Sequence, residues 1–99
     1  MNREEIRQTF EAYFEKYKKT EGDRTSWSAV WADYSTAGKF EINLTKCPRG
    51  TRFKLFADSR KLGEIEGWEA LLEALPQLEK DHAGLFDTRS FFETMKEMV

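Results

Sequence analysis

The chain has little of what covalent and metal chemistry requires. Among 99 residues there is one cysteine, Cys47, and one histidine, His82. A lone cysteine excludes an intrachain disulfide and an all-cysteine metal site, and it suits a reducing compartment. Neither a helical histidine pair nor a Cys-His ligand spacing surrounds His82, so the common zinc patterns are absent. With only two prolines and six glycines, and no biased stretch, there is no linker or low-complexity segment. No run approaches the ~18 apolar residues of a membrane span. The opening Met1, Asn2, Arg3, Glu4 and Glu5 lack the apolar stretch of a signal peptide. The expectation is a cytoplasmic protein with no membrane association, no metal and no cofactor.

What is present is aromatic bulk and charge. Eight Phe, three Trp and three Tyr supply core volume, and charged residues make up 34% of the chain. That balance predicts one modest core in a single domain spanning 1–99. The net charge of −2 conceals a split. Residues 1–62 hold 13 Lys+Arg against 9 Asp+Glu, whereas residues 63–99 hold 3 against 9. Within the first part, Lys39, Lys46, Arg49, Arg52, Lys54, Arg60 and Lys61 face only Glu41 and Asp58 over 39–61. Such asymmetry bears on partners rather than fold.

Periodicity predicts an α+β chain. Asn2 and Glu5 have capping-box spacing ahead of Ile6, Phe10, Tyr13, Phe14 and Tyr17, which recur at helical spacing. A first helix over 3–19 follows, with Gly22 as its stop. Segments 39–45 and 52–58 alternate strictly, and the turn at 47–50 pairs Leu44 with Phe53, Ile42 with Leu55 and Phe40 with Ala57. Residues 27–34 fit a helix by spacing and a strand by composition. The strand is preferred, because a three-residue loop at 36–38 ending in Gly38 would set Tyr34, Ala32 and Val30 against Phe40, Ile42 and Leu44. A short edge strand at 62–65 is a further candidate.

A second helix starts near Gly67 with Trp68, Leu71, Leu72 and Leu75 on its apolar side. Pro76 ends or kinks it, or opens another short turn reaching His82. Asp87 or Ser90 caps a last helix carrying Phe91, Phe92, Met95, Met98 and Val99. The fold class is therefore an N-terminal helix, an antiparallel β-meander of three strands with room for a short fourth, and two C-terminal helices packed on the sheet.

The chemistry-bearing candidates are few. Cys47 stands beside Lys46 and Arg49, where positive charge favours thiolate, yet a nucleophile needs a base and His82 is the only imidazole. Glu64, Glu66, Glu69 and Glu73 raise acid-base pairing or a divalent cation, but Glu69 and Glu73 fall opposite Trp68 and Leu72, on a solvated helix side. Ala37, Gly38 and Lys39 lack the upstream glycine and following hydroxyl of a phosphate loop. No catalytic residue is assigned.

The second face of the predicted sheet is the constellation with most content. It displays Lys39, Glu41, Asn43, Arg52, Lys54 and Phe56, joined by Trp27 and Trp31 if 27–34 is a strand. Cations interleaved with aromatics can stack bases and neutralise phosphates. Three helices for two sheet faces favour instead a helix over this face, burying Trp31 and Phe56. The order helix, three strands, helix is similar to that of double-stranded-RNA-binding domains. The lysine cluster those domains place at the start of the second helix is here Gly63, Glu64, Ile65, Glu66, Gly67, Trp68 and Glu69, so no family is assigned.

The reading that results is a non-catalytic protein-interaction module. Lys46, Arg49, Arg52, Lys54, Phe56 and Trp31 are its candidate binding residues, against a partner with an acidic surface. Nucleic acid at the same face, or a small ligand held between sheet and helices, are the alternatives. Phe91, Phe92, Met95 and Met98 are the candidate contacts of a homodimer or partner groove, wherever core packing leaves them exposed.

Overall fold

The computed structural model describes residues 2–20, 27–35 and 38–99, and side-chain surroundings at 19–20, 27–29 and 32–35 lie outside that description. Helix α1 (Arg3–Lys16) starts where the sequence places it. Asn2 Oδ1 accepts the Glu5 N–H at 2.8 Å, and the Glu5 carboxylate accepts the Asn2 N–H at 3.4 Å. The helix stops at Lys16, earlier than 19, with the Tyr17 N–H bonded back to the Tyr13 carbonyl. The chain is already in a two-residue strand, β1 (Lys19–Thr20), where helix was expected. The expected stop at Gly22 lies outside the described residues.

Four longer strands follow, β2 (Trp27–Ser35), β3 (Gly38–Cys47), β4 (Gly50–Ala57) and β5 (Arg60–Glu66). They form an antiparallel sheet in the order β1-β2-β3-β4-β5. The β3–β4 register is the predicted one, Leu44 with Phe53, Ile42 with Leu55 and Phe40 with Ala57. Its turn is tighter than expected, because Cys47 itself pairs with Gly50 and leaves only Pro48 and Arg49 between strands.

The β2–β3 register corrects the sequence reading by one residue. Ser35 pairs with Gly38, so the connection is the two residues 36–37, which lie outside the described residues, and Gly38 belongs to the strand. Trp31 therefore stands opposite Ile42, where Ala32 was expected, and Val30 opposite Asn43. A slip of one residue exchanges the two faces of a strand. Trp31 is accordingly 3% exposed in the core and Val30 49% exposed.

Strand β5 is longer than the predicted 62–65. Asp58 and Ser59 both take left-handed backbone, φ 50° and 66°, giving the primed two-residue hairpin turn that matches strand twist. A bulge between Leu55 and Phe56 then shifts the pairing. Asp58 also fastens the turn to the neighbouring strand. Its N–H donates to the Lys39 carbonyl at 2.8 Å and its Oδ1 accepts the Lys39 N–H at 2.9 Å. That carboxylate fills the space a Cβ at Gly38 would occupy, and Gly38 has φ 139°.

Helix α2 (Trp68–Asp81) runs through Pro76 without ending, so the expected break there is not found. Proline removes the donor for the Leu72 carbonyl, and the burial of Leu71, Leu72 and Leu75 against the core offsets that loss. Asp87, not Ser90, caps helix α3 (Thr88–Met98), accepting the Ser90 N–H at 3.0 Å.

All three helices lie on one face of the sheet. Trp31 packs against Tyr13 of α1 and Phe91 of α3, both at 4.8 Å between ring centroids, and Phe53 meets Trp68 of α2 at 4.8 Å. Phe40, Ile42, Leu44, Phe53 and Leu55 point into the same cluster as Phe10, Phe14, Leu71, Phe91 and Met95. Burying each such side chain contributes roughly 1.5–3 kcal/mol. The opposite strand positions include Glu41, Arg52, Lys54, Glu64 and Glu66, whose charges a covering helix would have to desolvate.

Candidate interaction face

On the face away from the helices the registers line up in rows. Val30, Asn43, Lys54 and Glu64 are cross-strand neighbours in one row, and Thr45, Arg52 and Glu66 in the next. Glu41, Phe56 and Lys61 form a third. Thr45, Arg52, Glu64 and Glu66 are exposed, while Asn43, Lys54 and Phe56 are half-buried among their neighbours. The expected helix cover is not there among the described residues. The face is open.

The open face is a mosaic of charge. Arg52 Nη2 lies 3.1 Å from Glu66 Oε1, Lys61 Nζ 2.7 Å from Glu64 Oε1, and Lys39 Nζ 2.6 Å from Glu41 Oε1. The hydrogen bond and charge of Lys61 hold the Glu64 carboxyl below the ordinary glutamate range, with Lys54 and Arg52 adding to the effect. Much of the positive hairpin is thus neutralised by the strand beside it. The sequence assigned Glu64 and Glu66 to an acidic C-terminal half, and the fold sets them next to the cations.

Each candidate residue now has a place. Arg52, Lys54 and Phe56 share the open face, and Arg49 projects from the β3–β4 turn, exposed and in no ion pair among the described residues. Lys46 pairs with Thr51 two residues beyond Leu44, and strand alternation sets it on the helix-bearing side. Trp31 leaves the candidate face altogether, for the register reason given above. Its Nε1 has no hydrogen-bond partner among the described residues, and its ring meets Tyr13 and Phe91 edge to face, where aromatic π-faces act as weak acceptors. Trp27 is in register with Lys46, and its side chain lies outside the described residues.

The C-terminal stripe is mostly core. Phe91, Phe92 and Met95 are buried in the core, and of the candidate contacts Met98 remains exposed, together with Val99. Lys16 Nζ and Tyr17 Oη donate to the Met98 carbonyl at 2.8 and 3.1 Å, tying the ends of α1 and α3 together.

Cys47 and His82 are not brought together, nor are the four glutamates weighed in the sequence. His82 closes α2, its ring 6.0 Å from that of Phe40, and Phe40 and Cys47 are separated along β3 by roughly 23 Å at the usual strand rise. Glu69 and Glu73 turn to Arg3, at 3.8 and 3.9 Å, away from Glu64 and Glu66. No three His, Cys, Asp or Glu side chains converge as a metal site among the described residues. No helix among them is long and apolar enough to cross a membrane.

Among the described residues, clefts indent the helix-bearing side. One, of about 480 Å³, lies among Ile6, Leu72, Leu75, Pro76 and Thr88. Thr88 Oγ1 is buried there without a hydrogen-bond partner among the described residues, while the Thr88 N–H donates to Glu79 Oε1 at 2.7 Å. Another, of about 360 Å³, lies between α1 and the β3–β4 hairpin, against Trp68. Its lining residues Gln8, Glu11, Glu15, Thr51 and Trp68 were not singled out as site residues in the sequence. The available signal was the polar series 8, 11, 15 at helical spacing, which reads equally as a solvated helix side. Comparison with known proteins finds no family model, no curated protein and no solved structure that matches this chain.

Proposed function

We propose that this protein is a non-catalytic interaction module that docks an acidic protein surface on the open face of its sheet, led by the β3–β4 turn. The observation that carries the reading is the one-sided packing of the helices. Five strands at ~4.8 Å spacing, with a rise of ~3.3 Å per residue, present a face of roughly 500 Å². That approaches the ~800 Å² each partner contributes to a standard interface. Lys39, Arg52, Lys54 and Lys61 outnumber Glu41, Glu64 and Glu66 on it, and Arg49 extends the positive end.

Nucleic acid fits this face less well. With Trp31 in the core, half-buried Phe56 is the aromatic left on the face among the described side chains, and three carboxylates stand where phosphates would pass. Affinity capture with the wild type and an Arg49→Glu, Lys54→Glu variant, at low and high salt, tests the proposal. A protein retained by the wild type at low salt and lost by the variant is the expected result. Equal retention by both, or salt-sensitive saturable binding of random oligonucleotides with no protein retained, would sink it.

A further inference from the structure

The cleft between α1 and the β3–β4 hairpin has opposite charges on its two rims. At about 360 Å³ it falls within the size range of small-molecule sites. Its floor is apolar, made by Leu44, Ala12 and half-buried Trp68. One rim is α1, where Gln8, Glu11 and Glu15 recur at helical spacing. The other is the end of the hairpin, where Lys46 and Thr51 are direct cross-strand partners.

We infer that this cleft binds a small zwitterion with an apolar body, of the α-amino-acid class. The ammonium group would meet the Glu11 and Glu15 carboxylates, the carboxylate would meet Lys46 and the Thr51 hydroxyl, and the side chain would rest on Trp68 and Leu44. The rims select for both charges at once. A ligand carrying both signs gains at each end, whereas a singly charged one gains at one rim alone.

The site is held in shape before any ligand arrives. Trp68 packs edge-on to Phe53 at 4.8 Å, with Phe10 and Phe14 at 6.4 and 6.5 Å, so its ring is fixed by the core. Glu11 is held by Arg7 at 3.0 Å and Glu15 by Lys18 at 2.5 Å. Both carboxylates remain about half exposed, and a carboxylate accepts more hydrogen bonds than one partner supplies. Such preorganisation spares the ligand the cost of ordering the pocket. The cleft is on the helix-bearing side, so the inference stands apart from the docking face.

The test is an NMR titration of the full chain with L-phenylalanine, 2-phenylethylamine and 3-phenylpropanoate, which share a ring and differ in charge. The expected result is saturation by L-phenylalanine with shifts at Trp68, Lys46 and Glu11, and about tenfold or weaker binding of each singly charged analogue. Lys46→Met should cost L-phenylalanine about tenfold and bring 2-phenylethylamine level with it. Glu11→Gln with Glu15→Gln should do the same for 3-phenylpropanoate. These positions are on the rim, and the unchanged dispersion of distant amides verifies that each variant is folded. Equal affinity for all three ligands, shifts outside the cleft, or no saturation at millimolar ligand would overturn the inference.

Discussion

Arg52 and Glu66 face each other across the β4–β5 pair with 3.1 Å between Nη2 and Oε1, although one belongs to the basic and the other to the acidic part of the chain. Both side chains are more than half exposed, so the pair contributes at most ~1 kcal/mol to stability. Its consequence is for the field of the open face. Glu66→Gln should leave the urea midpoint almost unchanged while the protein elutes from a cation exchanger at higher salt. An unchanged elution position would mean that Glu66 does not temper the positive face.

The β2 register is testable by two neighbours. Trp31→Ala should cost about 3–5 kcal/mol in unfolding free energy, the usual range for a buried aromatic. Val30→Lys should stay within about 0.5 kcal/mol of wild type, as exposed positions do. Chemical denaturation of both decides the matter, and the reverse order would put β2 in the other register.

Gly38 and Asp58 are coupled. A Cβ at Gly38 meets the Asp58 carboxylate, and φ 139° is unfavourable to any other residue. Gly38→Ala should therefore lose about 1–3 kcal/mol from backbone strain, with the collision added. In an Asp58→Gly background, which removes the carboxylate and tolerates φ 50°, the further loss from Gly38→Ala should be smaller. A double-mutant cycle with no coupling would contradict the contact.

Acid titration follows from Glu64. Its folded pKa lies below the ordinary carboxylate range, chiefly because Lys61 donates a hydrogen bond to it, with the Lys61 charge next. A depressed carboxylate stabilises the fold above its unfolded pKa, and that stabilisation is lost as pH falls through the folded value. Lys61→Met should return the Glu64 titration, followed by carboxyl NMR, toward the ordinary range. A midpoint indifferent to the substitution would assign the shift elsewhere.

The last helix separates core from surface. Phe92 is 8% exposed and Met98 38%. Phe92→Glu should broaden or abolish the unfolding transition, and Met98→Glu should keep the fold. A folded, monomeric Phe92→Glu protein beside an associating wild type would restore Phe92 to an interface.

Much of this was legible locally. The capping box at Asn2 and Glu5, the Leu44-Phe53 register and the apolar side of α2 follow from neighbours a few residues apart, and all three are found. The misread features depend on more distant terms. Pro76 suggests a break because the lost hydrogen bond is local, while the burial of Leu71, Leu72 and Leu75 that outweighs it is tertiary. Asp58-Ser59 lacks the glycine that announces a primed turn, so local sequence does not mark where β5 begins. Charge groups Lys46 with Arg52, whereas strand alternation sets the two on opposite sides of the sheet.

The amino-acid sequence by itself determined the order of the three helices and the longer strands, the identity of the aromatic core and the uneven placement of charge, because periodicity and composition act within a few residues. Tertiary structure decided which face Trp31 occupies, that all three helices share one side, and that Glu64 and Glu66 lie beside Lys61 and Arg52. Those outcomes turn on a one-residue difference in loop length and on packing between distant segments. Neither leaves a mark in local sequence, since a strand reads the same in either register until a partner buries one of its faces.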